Sequence, residues 1–189
     1  ALPILFRLYL NKKAAGKAKC VYRTRPELAV EMLQMLCLTH ENKHFHVVAD
    51  SAYGGQSVLL KLISNCDLTS RLMIKARLYD APPERTTGVR GRPRKRGLRL
   101  PTPREMLQSR CRRITLSIYG RHDEVRIRDR EARVYSAPKR PLRVVAMQPL
   151  SRGKTQQAFY STVRDASAEE VLTWYAMRWS IEVTFHDTK

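Results

Sequence analysis

The sequence predicts an α/β fold, an open sheet with helices against it and a β-rich insertion ahead of a closing helix. Three observations predict it. Phe45–Ala49 is a short apolar, β-branched run that ends in Asp50, turns through Ser51-Ala52-Tyr53-Gly54-Gly55 and passes into a helical pattern over 56–63. Ser167 and Glu170 form a capping box that opens a final helix running toward Lys189. Between these two blocks, residues 113–162 hold several strand-like runs separated by turn residues.

In chain order, residues 4–10 are rich in Ile, Leu, Phe and Tyr and read as a strand, followed by a turn or loop over the basic, small-residue run 11–19. Thr24-Arg25-Pro26-Glu27 supplies a capping Thr, a Pro in the first turn and a Glu at the third helical position. Leu28, Met32, Met35 and Leu36 continue that helix to about Leu38, and core packing accounts for their stripe. Asp50 then stands where an open α/β sheet offers a carboxylate, at the carboxyl end of a strand. On its own it reads equally well as a turn cap. His44 and His46 share a strand face but lack a third ligand nearby, so they read as strand-surface residues; His40, His122 and His186 have no assigned role. Residues 72–78 alternate as a strand with Arg71, Lys75 and Arg77 outward, a basic edge beside Asp50.

Composition changes at residue 80. Residues 80–100 contain prolines, glycines and the run Arg90-Gly91-Arg92-Pro93-Arg94-Lys95-Arg96, the pattern of a mobile basic linker. Its Gly-Arg-Pro core resembles the short hooks that enter the minor groove of A·T-rich DNA; a solvated linker that touches phosphates is the plainer reading. Thr102-Pro103-Arg104-Glu105 starts another capped helix that ends before Cys111. The strand-like runs are 114–119, 124–127, 132–135, 142–147 and 158–162, punctuated by Gly120, Asp129, Pro138, Pro141 and Gly153. This organisation divides the chain into a first core part over 1–79, the linker 80–100, the β-rich insertion 101–163 and a closing helix over 164–189.

Lys and Arg number 36 against 17 Asp and Glu, a formal charge of +19 that calls for an acidic polymer or surface as partner, with nucleic acid the leading candidate. Cys20, Cys37, Cys66 and Cys111 show no C-x-x-C spacing, which fits four reduced thiols in the cytosol better than zinc or a disulfide framework. The apolar start is too short for a membrane span.

On the closing helix, Tyr175, Arg178, Glu182 and Lys189 fall within a sector of roughly 60° at about 100° per residue. Arg178 and Glu182 alone would make an ordinary intrahelical pair. Tyr175, Lys189 and the flanking Val171, Trp174, Trp179 and Phe185 ask for more, because ionisable groups on an apolar side are costly without partners.

The spacing Y-x2-R-x3-E-x6-K, in the context Trp174-Tyr175-Ala176-Met177-Arg178-Trp179-Ser180-Ile181-Glu182, resembles the signature of bacterial insertion-sequence transposases with an Asp-Asp-Glu active site. The Asp50 block is similar to their second acidic motif. The resemblance implies a ribonuclease H-like catalytic fold, incomplete at its N-terminus, with an insertion between the second Asp and the Glu. It implies cleavage and strand transfer at transposon ends, with Asp50 and Glu182 as catalytic, metal-binding carboxylates and Tyr175, Arg178 and Lys189 on DNA phosphates. Arg92, Arg94 and Lys95 of the linker are added as DNA contacts.

Two magnesium ions, with manganese as a substitute, would serve the in-line displacements at phosphorus. The expected partner is double-stranded DNA, with a homodimer in the paired-end complex, no membrane, and a cytoplasmic, nucleoid-associated location. One departure stands out: no Asp or Glu precedes Glu27, so the family's first catalytic Asp is expected upstream of Ala1 and the 189-residue chain is expected to be inactive alone. Two other readings are a nuclease of the same fold and a non-catalytic DNA-binding protein derived from a transposase.

Overall fold

The computed structural model describes residues 5–84, 92, 94–118 and 121–179. Helices α1 (Lys12–Lys17) and α2 (Arg25–Thr39) precede strand β1 (Phe45–Ala49), helix α3 (Gln56–Leu59) and strand β2 (Cys66–Leu72). Short strands β3 (Leu78–Tyr79) and β4 (Arg99–Leu100) and helix α4 (Pro103–Met106) follow. Strands β5 (Arg112–Ile118), β6 (Arg121–Val134), β7 (Ala137–Pro149) and β8 (Gln157–Ser161) then lead to helix α5 (Ala168–Met177).

All eight described strands form one mixed sheet, in the order β1-β2-β8-β7-β6-β3-β4, with β5 also on β6. Only β1 and β2 run parallel among these pairs, which their connection through α3 requires; the rest are antiparallel. Residues 101–163, expected as an insertion, thus contribute strands to the sheet that carries β1, and the boundaries drawn from composition are not boundaries between sheets.

Two cores flank the sheet. On one face Val30 of α2, Val58 and Leu59 of α3 and Met106 of α4 pack on Leu68, Leu142, Val144 and Tyr160. On the other, Val171 and Leu172 of α5 pack on Val125, Ile127, Val145 and Phe159. Strand alternation sends neighbouring residues to opposite faces, so each long strand serves both cores.

The three helix starts read from capping boxes are present. Thr24, Thr102 and Ser167 each accept from the N3 amide, while Glu27, Glu105 and Glu170 accept from the cap backbone. Those hydrogen bonds hold the three glutamates below the usual carboxylate range.

Other expectations need correction. Residues 5–10 form no strand, and Leu5, Phe6 and Leu8 are exposed with no sheet neighbour. The run read as a loop contains α1, because Asn11 caps it through Ala14 N–H at 2.9 Å and Ala15 is buried. The strand expected over 72–78 is instead Cys66–Leu72, and a turn closed by Ala76 N–H to Met73 O follows it. Its mixed composition disguised it: Thr69 and Ser70 are fully buried yet satisfied by hydrogen bonds to Ser161 and to the Asp50 carbonyl. The runs 124–127 and 132–135 are one strand, β6, with Asp129 inside it rather than at a break. Pro138 and Pro141 lie within β7 where the register jumps from Val134↔Ala137 to Ala132↔Leu142, an irregularity that tolerates residues lacking an amide hydrogen.

The linker is fixed at its described ends. Asp80 N–H donates to Leu98 O, and the Arg96 guanidinium stacks 3.5 Å above the Tyr135 ring while donating to the Tyr135 carbonyl. A Cβ on Gly97 would come 2.0 Å from Ala81 O, so only glycine allows that backbone approach.

Candidate active site at the end of β1

Asp50 follows the last residue of β1, an edge strand of the sheet. Its exposed side chain turns back to accept from Ser51 N–H at 2.6 Å, and its carbonyl accepts from Tyr53 N–H at 2.9 Å and from the Ser70 hydroxyl at 3.2 Å. The turn is pinned a second time by the Tyr160 hydroxyl, which donates to Gly54 O at 2.7 Å. Burial raises the Tyr160 pKa, with the Ser70 contact opposing, so the phenol stays a protonated donor. Gly54 packs so closely that a Cβ would sit 2.3 Å from Ser70 Oγ. The backbone of the turn that carries Asp50 is therefore held by buried residues of two neighbouring strands, β2 and β8.

Beside it opens a cavity of about 510 Å³. Arg7, Tyr9, Arg25, Asp50, Tyr53 and Arg178 provide its polar lining, and Leu28, Met32, Val47 and Val58 are among its apolar residues. Arg25 lies 4.9 Å from the Tyr9 ring centroid, which holds one of these cations at the wall. Arg178 reaches the cavity from the C-cap of α5.

Helix α5 is seated by apolar packing and a polar layer on β1 and β2. His46 Nε2 lies 2.8 Å from Thr69 Oγ1, Thr69 Oγ1 donates to Ser161 Oγ at 3.0 Å, and the imidazole packs 4.3 Å from the Trp174 ring. Burial lowers the His46 pKa, with the Asp67 carboxylate opposing and His44 adding to the fall. His44 Nε2 is 2.7 Å from Asp67 Oδ2. The two histidines thus face the strand surface, and His46 is part of the seat of α5.

The structure brings Asp50 and Arg178 to one cavity and separates Tyr175 from it. Tyr175 packs against Phe159 with ring centroids 4.6 Å apart and lines a second cavity of about 300 Å³ with Asp123 and Lys154. The Arg178 guanidinium is still 5.7 Å from the Tyr175 ring. Arg92, Arg94 and Lys95 are exposed and line neither cavity. Glu182 and Lys189 lie outside the described residues. Arg7 and Arg25, which the sequence reading passed over, join the Asp50 cavity; the start of α2 at Arg25 was legible, but its position beside the end of β1 was not.

Among the described residues no group of three or more His, Cys, Asp or Glu side chains could hold a metal ion. Asp50 supplies one exposed carboxylate, with no ion-pair partner among the described residues, to the lining of a largely apolar cavity that Arg7, Arg25 and Arg178 also line. A hard divalent cation fits that donor, as one ligand of several.

A strand-end carboxylate and an arginine at the C-cap of α5, distant in sequence, line one cavity of a mixed α/β sheet. Residues 26–189 match the family model of the transposase DDE domain, and the chain belongs to that family. No curated protein matches it. No described helix is long and apolar enough to cross a membrane.

Proposed function

We propose that this chain is the ribonuclease H-like catalytic part of a DNA transposase, cutting DNA at transposon ends and joining the freed 3′ hydroxyl to target DNA. The observation that carries the reading is that Asp50 and Arg178, distant in sequence, line one cavity. Asp50 and Glu182 would hold divalent ions, magnesium or manganese, which when bound activate the attacking oxygen and stabilise the leaving one.

The remaining chemistry belongs to the chain. Ser70 anchors the Asp50 backbone and Ser51 N–H donates to one carboxylate oxygen, so the turn would present the carboxylate at a fixed strand end before substrate arrives. Arg178, with Arg7 and Arg25 around the same cavity, would clamp backbone phosphate and neutralise charge that builds on the phosphoryl oxygens. Lys189 would extend the cationic strip. Tyr175 would act at one remove, supporting α5 through Phe159 beneath Arg178. In the full-length protein, Glu182→Gln is expected to abolish strand cleavage and leave binding of end DNA nearly intact.

The test is duplex binding by fluorescence anisotropy with and without magnesium at matched ionic strength. Magnesium should tighten binding by the unmodified chain and leave Asp50→Asn unaffected, while Arg178→Gln should bind more weakly in both conditions. A magnesium response that survives Asp50→Asn removes Asp50 from the ion site.

A further inference from the structure

The sheet sorts its arginines by face. On the α5 side they are neutralised: Arg112 by Glu169 at 2.9 Å and by Asp129, Arg143 by Asp129, and Arg164 by Glu131 at 3.0 Å. On the opposite face, strand alternation places Arg126, Arg128 and Arg130 of β6 in a row, and Arg113 of β5 stands directly across from Arg126. None of these four has an acid within ion-pair distance among the described residues. Arg113 and Arg128 are exposed and Arg126 and Arg130 half-exposed.

Two features set this row apart from a solvated strand. Like charges directly opposite destabilise an antiparallel pair, and Arg113 faces Arg126 in that relation. Arg128 is also held in place, donating to Ser109 Oγ at 2.6 Å and to Arg110 O at 3.1 Å, which brings the exposed Arg110 to the same surface. Glu124, two residues before Arg126, is the acid that β6 carries on this face.

We propose that this arginine face of β5 and β6 is a second nucleic-acid surface, separate from the Asp50 cavity, that tracks the phosphate backbone of duplex DNA without reading its sequence. Residues two apart on a strand are about 6.8 Å apart, so the β6 row spans about 14 Å, a length of duplex axis that carries roughly eight phosphate charges. A cationic row without acid partners among the described residues matches such a backbone better than an acidic peptide, whose charges are fewer and irregularly placed. An enzyme that joins one DNA to another must hold two duplexes, and this face offers a place for one while the cavity holds the other.

The test compares Arg113→Gln/Arg126→Gln with a charge-matched control, Lys12→Gln/Lys13→Gln on α1, for binding to a duplex of arbitrary sequence across a salt series. The arginine pair should lower the slope of log K against log salt by about 1.8 and so weaken binding by about 60-fold at 0.1 M salt relative to its effect at 1 M. The lysine control should change the slope by less than half as much. Glu124→Lys on the same face should tighten binding and steepen the slope by about 0.9, and it decides the matter if the double variant does not fold. Equal effects of the arginine and lysine pairs, or no gain from Glu124→Lys, overturn the proposal. The magnesium response tied to Asp50 is read separately, so loss of one reading leaves the other standing.

Discussion

The Ser70 hydroxyl donates to the carbonyl of Asp50, and the same Ser70 side chain leaves Gly54 no room for a Cβ. One buried serine therefore fixes both ends of the turn that aims the carboxylate. Gly54→Ala must displace Ser70, whose Oγ would lie 2.3 Å and whose Cβ would lie 2.9 Å from the new methyl. Overpacking of this kind costs about 1–3 kcal/mol. Thermal denaturation should show that loss, and Ser70→Ala in the Gly54→Ala background should recover part of it by removing the nearer clash.

The seat of α5 predicts a pH dependence. Burial depresses the His46 pKa, so the unfolded chain takes up the proton first as pH falls. The contribution is fully present above the unfolded value of 6.5 and is lost as pH falls below it toward the folded value. The melting temperature of the unmodified chain should therefore drop more between pH 7.5 and 5.5 than that of His46→Gln, which cannot charge. Parallel curves for the two proteins would show that His46 does not carry this dependence.

Asp129 is the acid partner of Arg143 on the face of the sheet that carries α5. Its side chain is 18% exposed, and removing it leaves the Arg143 guanidinium, 29% exposed, without its acid, while Arg112 keeps Glu169. Asp129→Ala should cost about 1–3 kcal/mol in urea denaturation. Asp129→Leu/Arg143→Met, which removes the main pair together, should cost less than Asp129→Ala alone.

What the sequence disclosed followed from local rules. The capping boxes at Thr24, Thr102 and Ser167 and the apolar run of β1 act within a few residues, and all four were legible. β2 was not, because its buried Thr69 and Ser70 are compatible with a core only through partners on β8 and the Asp50 turn. β6 was read as two pieces because Asp129 resembles a turn residue until Arg143 is placed beside it. At the site, helical spacing put Tyr175 and Arg178 in one sector of one helix face. It could not tell that Phe159 would draw Tyr175 toward one cavity while Arg178 faced another.

The carboxylate after β1 is expected to bind a divalent ion. The most direct measurement is paramagnetic line broadening of backbone amides during a manganese titration of the unmodified chain and of Asp50→Asn. Broadening should centre on residues 50–54 and disappear in Asp50→Asn. Broadening centred elsewhere, or unchanged by that substitution, would contradict it.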